Sequence, residues 1–302
     1  MTFSVIISCY NYADYVEAAI ESVLAQTRPP LEVLVVDDGS RDDSAARIAA
    51  CARRAPTVRL LRQANRGQLA AFVHALGQAR GDYCAFLDAD DWWEPGYLAG
   101  LAAILEHDAA IDSVSANLRY AGAREGLYWP AAADRRAGLS VLRAHARHAV
   151  LGAPTSGVTL RTRLARRIAA IPRALHADWV TEADSLLHLC ASLFGALRYE
   201  WGGCRAVHYR VHAANRFAGA TRDAAFVPRR QLRLARAAAW VAAEQGLGAA
   251  LCRHAHAEFA TIETPSAREL GAYLGLQWMA PEPAPLRLAK MGRILRQALR
   301  AR

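Results

Sequence analysis

With 302 residues, 53% of them apolar and 22% charged, the chain has a globular composition and length enough for one large or two modest domains. Its net charge of +9 comes almost wholly from arginine, since Lys290 is the only lysine. That excludes much lysine chemistry: no GxxxxGK(S/T) phosphate loop exists, and a Schiff-base enzyme would need a lysine elsewhere. Arginine pairs bidentately with phosphate and carboxylate, so anionic substrates or an anionic membrane face suit this chain, and nucleic acid suits it less.

The six cysteines, Cys9, Cys51, Cys84, Cys190, Cys204 and Cys252, form no CxxC pair and read as buried thiols of a reducing cytoplasm. The first residues lack a basic n-region and a cleavage site, and no apolar stretch approaches the roughly 20 residues of a membrane span. The expectation is a soluble or peripheral cytoplasmic protein.

Residues 3–8, FSVIIS, are apolar and β-branched and predict a central strand. Asp14 and Glu17 suggest a capping box for a helix that carries Val16, Ala19, Ile20, Val23 and Leu24 at helical spacing and stops at Pro29 and Pro30. Residues 32–36, EVLVV, form the next strand and end in Asp37, Asp38, Gly39 and Ser40, so the unit is βαβ. A short strand over 58–61, the turn Asn65, Arg66, Gly67 and Gln68, and a helix over 69–79 lead to a strand at 83–87. Each strand ends in polar residues on the same side, the pattern of a nucleotide-binding half of doubly wound type. Ser8, Cys9, Tyr10 and Asn11 stand where GxGxxG would mark a dinucleotide fold, which argues against a dehydrogenase.

A helix over 96–106 follows, then one strand over 111–120, a loop over 122–138 and a helix over 139–150. Asp178, Glu182 and Asp184 precede an apolar helix at 185–194, and a basic strand at 206–211 ends in His212. From Pro228 onward the chain is helical and rich in arginine. In its last piece, Leu288, Met291, Ile294, Leu295 and Leu299 share one arc of a wheel drawn at about 100° per residue, and Lys290, Arg293, Arg296 and Arg300 share the other. Such a helix docks on its own domain or lies on an anionic membrane surface.

The run CAFLDADDW, residues 84–92, stops abruptly in Asp88, Asp90 and Asp91. A strand apolar on both faces belongs inside a parallel sheet, whose carboxyl ends open into a ligand crevice. Two carboxylates about 4 Å apart repel by about 4 kcal/mol at an effective dielectric near 20. A divalent cation offsets this, and oxygen ligands of this kind suit Mg²⁺ or Mn²⁺ with phosphate oxygens and water completing the shell. An Asp-rich turn that caps the next helix is the plainer alternative.

In order and spacing, the strings VIISCYNYADYVEAAIESVLAQT, EVLVVDDGSRDDS, NRGQLAAFVHALGQARGDY and FLDADD resemble a bacterial family 2 glycosyltransferase with a GT-A fold, and PTSG, ADSLLHLCASLFG and HYRVHAAN extend the likeness to Asn215. The resemblance implies an α/β fold: a mixed, mainly parallel Rossmann-like sheet flanked by helices, with a helical C-terminal extension. It divides the chain into a nucleotide-sugar half (1–120), an acceptor half (121–220) and an Arg-rich extension (221–302).

It also implies roles. Ser8, Tyr10 and Asn11 would line the nucleotide pocket, Asp37 or Asp38 would accept hydrogen bonds from base or ribose, Gly67 would allow close backbone approach, and Gln68 would be a side-chain donor. Asp88 would face ribose or metal, Asp90 would bind Mn²⁺ or Mg²⁺, and Asp91 would cap a helix or support Asp90. His212 would bind the metal or the diphosphate. Asp184 is the candidate base, with Glu182 and Asp178 behind it. Thr155, Ser156 and Gly157 would shape the acceptor side, and Arg135 or Arg136 would reach the diphosphate from a loop. The activity implied is inverting transfer of a sugar from a nucleotide-sugar donor, a UDP-sugar by family frequency, to a hydroxyl of a glycan or lipid-linked acceptor in cell-surface glycan or glycolipid synthesis. Val73 and Val158 stand where the family often has asparagine. They are the support for a rival reading, a nucleotide-sugar-binding module without turnover.

Overall fold

The structure, a computed structural model, describes residues 1–130, 133–212, 215 and 225–301. Strands β1 (Phe3–Cys9), β2 (Glu32–Asp37), β3 (Val58–Arg62) and β4 (Tyr83–Asp88) run parallel in the order β3-β2-β1-β4. Next along the chain are β5 (Trp92–Trp93), β6 (Ser113–Ala116), β7 (Arg119–Gly122), β8 (Asp134–Gly138), β9 (Val158–Arg161), β10 (Arg198–Trp201) and β11 (Val207–Val211). The main sheet continues past β4 as β9-β6-β10-β8. In it β9 is antiparallel to both neighbours and β8 closes the edge antiparallel to β10, while β5, β11 and β7 form a second, three-stranded sheet.

The inner strands are buried on both faces because their apolar residues alternate between two cores. Ile6, Leu34, Val36, Cys84 and Phe86 enter one, and Val5, Ile7, Val33, Val35, Ala85 and Leu87 enter the other. Each fully buried Val, Leu or Phe contributes roughly 1.5–3 kcal/mol. The ends of β1, β2 and β4 are therefore held in a fixed register.

The helix Ala13–Leu24 forms as its periodicity predicts, but no capping box starts it. Its first amides are met from the loop before the next helix instead: Tyr12 N–H donates to Ser44 Oγ at 3.0 Å and Ala13 N–H to Asp42 Oδ2 at 3.0 Å. The single strand expected over 111–120 is two strands in two sheets. They part at buried Asn117, whose side chain donates to the Trp129 and Gly202 carbonyls and accepts from Leu118 and Trp129 amides.

Residues 134–138 are edge strand β8, not loop. The expectation that Arg135 or Arg136 reaches a diphosphate is corrected with it. Arg135 is fixed between Glu200 at 2.7 Å and Glu269 at 2.9 Å, and Arg136 pairs with Asp108 at 3.3 Å.

The helix Phe226–Gln245 sends Leu234, Ala237, Ala238 and Val241 into the same core as the helix Ala183–Leu193. Leu142, Phe259, Ile262, Tyr273, Leu276, Ile294 and Ala298 form a separate small core among the last helices. The division expected after residue 120 falls inside β7, and the one after 220 lies outside the described residues.

Candidate active site

Register decides what meets at the sheet's carboxyl edge. Ser8 lies opposite Asp88 and Cys9 opposite Asp37, so the polar ends of three strands arrive together. They open into a cavity lined by Ser8, Tyr10, Asp38, Gly67, Gln68, Asp88 and Asp90. Asn11 is not in this lining: it takes a left-handed conformation, φ 57°, and accepts from Arg41 N–H at 2.8 Å. Of the two neighbouring acids, Asp38 faces the cavity. It receives Gln63 Nε2, Arg66 N–H and Gly67 N–H at 2.8–2.9 Å, which shapes the 63–67 loop. Asp37 is fully buried, with Oδ1 on Ser40 N–H and Oδ2 at 3.5 Å from Arg62.

Gly67 has φ 90° and ψ 170°, a region only glycine occupies readily. A Cβ there would stand 2.4 Å from Val180 Cα. We expect Gly67→Ala to cost about 2–4 kcal/mol and to displace the 180–184 segment. A thermal melt unchanged from wild type would contradict this. Gln68 lines the cavity and bridges two elements: Nε2 donates to Asp88 Oδ1 at 2.9 Å, and Oε1 accepts Ala183 N–H at 3.1 Å.

The three aspartates after β4 have different surroundings. Asp91 is buried and accepts Ser156 Oγ–H at 2.5 Å and Arg210 N–H at 2.8 Å, so it ties β4 to β11 and caps no helix. Asp90 Oδ2 lies 3.1 Å from His212 Nε2 and 3.1 Å from Asn215 Nδ2. Burial pushes the Asp88 and Asp91 carboxyls well above the usual range, and the nearby Asp90 charge adds to it. Holding all three ionised requires positive charge beside them. A carboxylate and an imidazole nitrogen converging at one point, with room left for phosphate oxygens and water, form a donor set that fits a divalent cation.

A second cavity of about 920 Å³ adjoins the first, and the two share Gln68, Asp88, Glu182 and Tyr209. Asp184 and His212 line it, as do Tyr120, Tyr128, Thr155 and Arg230. Asp184 sits in the first turn of the helix Ala183–Leu193, where it accepts Ser185 N–H at 2.7 Å; the N-cap is Glu182. Burial pushes its carboxyl up to about 6, partly offset by the Ser185 amide and the Arg230 charge. Glu182 takes the left-handed conformation, φ 59°, and is clamped by Arg230 at 3.3 Å and by Arg233. Asp178 pairs with Arg236 at 2.7 Å and faces neither cavity. Of the three acids, Asp184 alone lines a cavity without an ion-pair partner among the described residues.

Of the expected acceptor residues, only Thr155 reaches a cavity. Ser156 is fully buried under Asp88 and Asp91, and Gly157 packs where a Cβ would meet Ala116 O at 2.4 Å. Val73 packs against the core and Val158 is buried within it, so neither departure from the family pattern lies at a cavity. The sequence reading missed Tyr209, Tyr120, Tyr128 and the arginines that hold Glu182. Tyr209 had a usable signal, two residues after Val207 in a strand whose end was already suspected.

Comparisons with known proteins bear on the family and the fold. The sequence model described as Glycosyl transferase family 2 matches residues 4–167. An uncharacterized glycosyltransferase of Nostoc sp. PCC 7120 is 32% identical over 225 residues, covering 71% of this chain and 66% of that protein. One of Escherichia coli K12, YibD, is 38% identical over 115 residues, 38% of this chain and 33% of its own length. The match thus spans about two thirds of the first relative and a third of the second. Among solved structures, S. aureus TarS 1–349 in complex with UDP-GlcNAc superposes with a TM-score of 0.62 at 17% identity, over 100% of this chain and 90% of that one. The mannosyltransferase PcManGT of Pyrobaculum calidifontis in complex with GDP-Man and Mn²⁺ gives 0.52 at 16% identity, over 98% and 86%. The fold is GT-A, and because the family's pattern covers more than half of a chain whose strand ends gather its acids in one place, this protein belongs to glycosyl transferase family 2.

Proposed function

We propose that the protein transfers a sugar from a nucleotide-diphosphate sugar to an acceptor hydroxyl, with inversion and with a divalent cation. The observation that carries this is the junction of the two cavities: Asp90 lines the first, His212 and Asp184 line the second, Asp88 and Gln68 belong to both, and His212 Nε2 lies 3.1 Å from Asp90 Oδ2 where they adjoin. Nucleotide diphosphate would occupy the first cavity, with Tyr10 against the base, Asp38 shaping the loop beside it and Asp88 near the ribose. The acceptor would enter the second, where Tyr120, Tyr128 and Tyr209 offer aromatic surface to a sugar ring.

Asp90 and His212 would hold the cation, and an imidazole in the set favours Mn²⁺ over Mg²⁺. When bound, the cation would stabilise the charge that grows on the departing diphosphate. Asp184 takes the proton from the acceptor hydroxyl as that oxygen attacks the anomeric carbon on the face opposite the diphosphate. The carbon–oxygen bond to the diphosphate breaks, and its electron pair leaves with the nucleotide. Glu182, held by two arginines, fixes the turn that aims Asp184. Gln68 ties the amide of Ala183 to Asp88 and so sets the spacing between donor and base.

The solved neighbours of the same fold, bound to UDP-GlcNAc and to GDP-Man with Mn²⁺, support a nucleotide-sugar donor. A panel of UDP-, GDP- and dTDP-sugars with Mn²⁺ and glycan or lipid-linked acceptors tests the proposal. Release of one nucleoside diphosphate together with sugar transfer is the expected result. Release of pyrophosphate would identify a nucleotidyltransferase instead, and nucleotide binding without turnover on any acceptor would favour a binding module.

A further inference from the structure

Among the described residues, the terminal helix Ala284–Arg300 touches the rest of the molecule along one edge only. Ile294 and Ala298 are buried in the small C-terminal core, and Gln297 Nε2 donates to the Phe259 carbonyl at 3.1 Å. Lys290 is anchored on Glu282 and on the Arg253 carbonyl. The apolar arc of the helix is therefore split rather than consumed: Leu288, Leu295 and Leu299 remain 57%, 45% and 71% exposed.

At about 100° per residue, these leucines form one ridge roughly a quarter-turn from the docked edge, and Arg293, Arg296 and Arg300 form a second ridge beyond it. All three arginines are exposed, and the helix holds no acidic residue. Leu286 is exposed too, though the same wheel sets it on the arginine side, about 160° from the leucines, and Trp278 and Met279, 53% and 60% exposed, end the preceding helix. The Arg287 guanidinium lies 5.0 Å from the Trp278 ring.

We propose that this face lies on an anionic lipid bilayer, with the leucine ridge in the boundary between headgroups and acyl chains and the arginine ridge on headgroup phosphates. A leucine ridge beside an arginine ridge without acids is the surface such an interface takes. Charge decides against a second copy of the chain as occupant. A two-fold contact would set the arginine ridge against itself, with no carboxylate on the helix to pair it. The leucines decide against nucleic acid, whose phosphates would leave them in water. Trp278 adds an amphipathic ring of the kind enriched at membrane interfaces.

The test is co-sedimentation of the full chain with vesicles of phosphatidylcholine alone and of phosphatidylcholine mixed with phosphatidylglycerol, at physiological and at high salt. Wild type is expected to partition onto the anionic vesicles about 10-fold or more over the neutral ones, and high salt should weaken it. The triple variants Leu288→Ser/Leu295→Ser/Leu299→Ser and Arg293→Gln/Arg296→Gln/Arg300→Gln change exposed side chains, so melting and nucleotide binding should stay as in wild type. Each should lose about 10-fold in vesicle binding. Equal binding to both vesicles, no binding, or a leucine triple that binds like wild type would overturn the proposal. So would a wild-type dimer that the leucine triple dissolves, which assigns the face to a second copy.

Discussion

Replacing Asp184 with asparagine is expected to lower turnover about 10²- to 10⁴-fold, the range for removing a positioned general base, while nucleotide affinity stays within about twofold. Asparagine keeps the acceptor for Ser185 N–H and the shape of the turn, so the loss would isolate the proton transfer. The same change should raise stability. Burial lifts the folded-state carboxyl to about 6 from an unfolded value of 3.8. The native state therefore binds the extra proton between those two values, and stability falls as pH rises through the window. At neutral pH the cost of keeping the buried carboxylate ionised is on the order of 3 kcal/mol, which the neutral amide avoids. The acid limb of the wild-type kcat/KM profile should fall below about pH 6, where Asp184 takes up its proton. An Asp184→Asn enzyme with near wild-type turnover, or with the same acid limb, would remove Asp184 from the mechanism.

Asp90→Ala should abolish metal-dependent nucleotide binding, a loss of about 100-fold or more in the presence of Mn²⁺, with little change in whatever weak affinity remains without metal. The geometry sets this apart from its neighbours. Asp91 is spent on Ser156 and Arg210, and Asp88 on Gln68, whereas Asp90 meets His212 and Asn215 at the mouth of the cavity. Calorimetric titration with UDP, GDP and dTDP, with and without Mn²⁺, reads the effect and shows which nucleotide the first cavity prefers. If the variant binds nucleotide with the same metal dependence as wild type, the cation is held elsewhere.

The strand ends were legible in the sequence because a buried parallel strand advertises itself as an unbroken apolar run, and 3–8, 32–36 and 83–87 all do. The acids after the second and third of them follow from position alone. Local pattern said less where the fold is built by distant partners. Strand β8 reads as loop because three of its residues are Asp134, Arg135 and Arg136, and it becomes a strand only through β10 and the ion pairs to Glu200 and Glu269. Ser156 and Gly157 look like ligand residues by type, yet one is a buried hydrogen-bond hub and the other a spacer against Ala116. Glu182 looks like a spare base until Arg230 and Arg233 arrive from a helix some fifty positions later. No periodicity records such a pairing. The terminal helix was read correctly as amphipathic, but only the folded chain divides its apolar arc into a docked edge and an open ridge.

The clamp on Glu182 also bears on how this chain can be cut and recombined. The pattern shared across the family ends at residue 167, which invites the view that everything after it is accessory. Yet the turn that presents Asp184 is pinned by side chains of the helix Phe226–Gln245, whose apolar face completes the main core. A chimera that kept residues 1–215 and took another protein's tail would inherit the lining of the donor cavity but not the geometry of the base. The inheritable unit of this enzyme is therefore longer than its recognisable signature, and it includes at least the helix Phe226–Gln245.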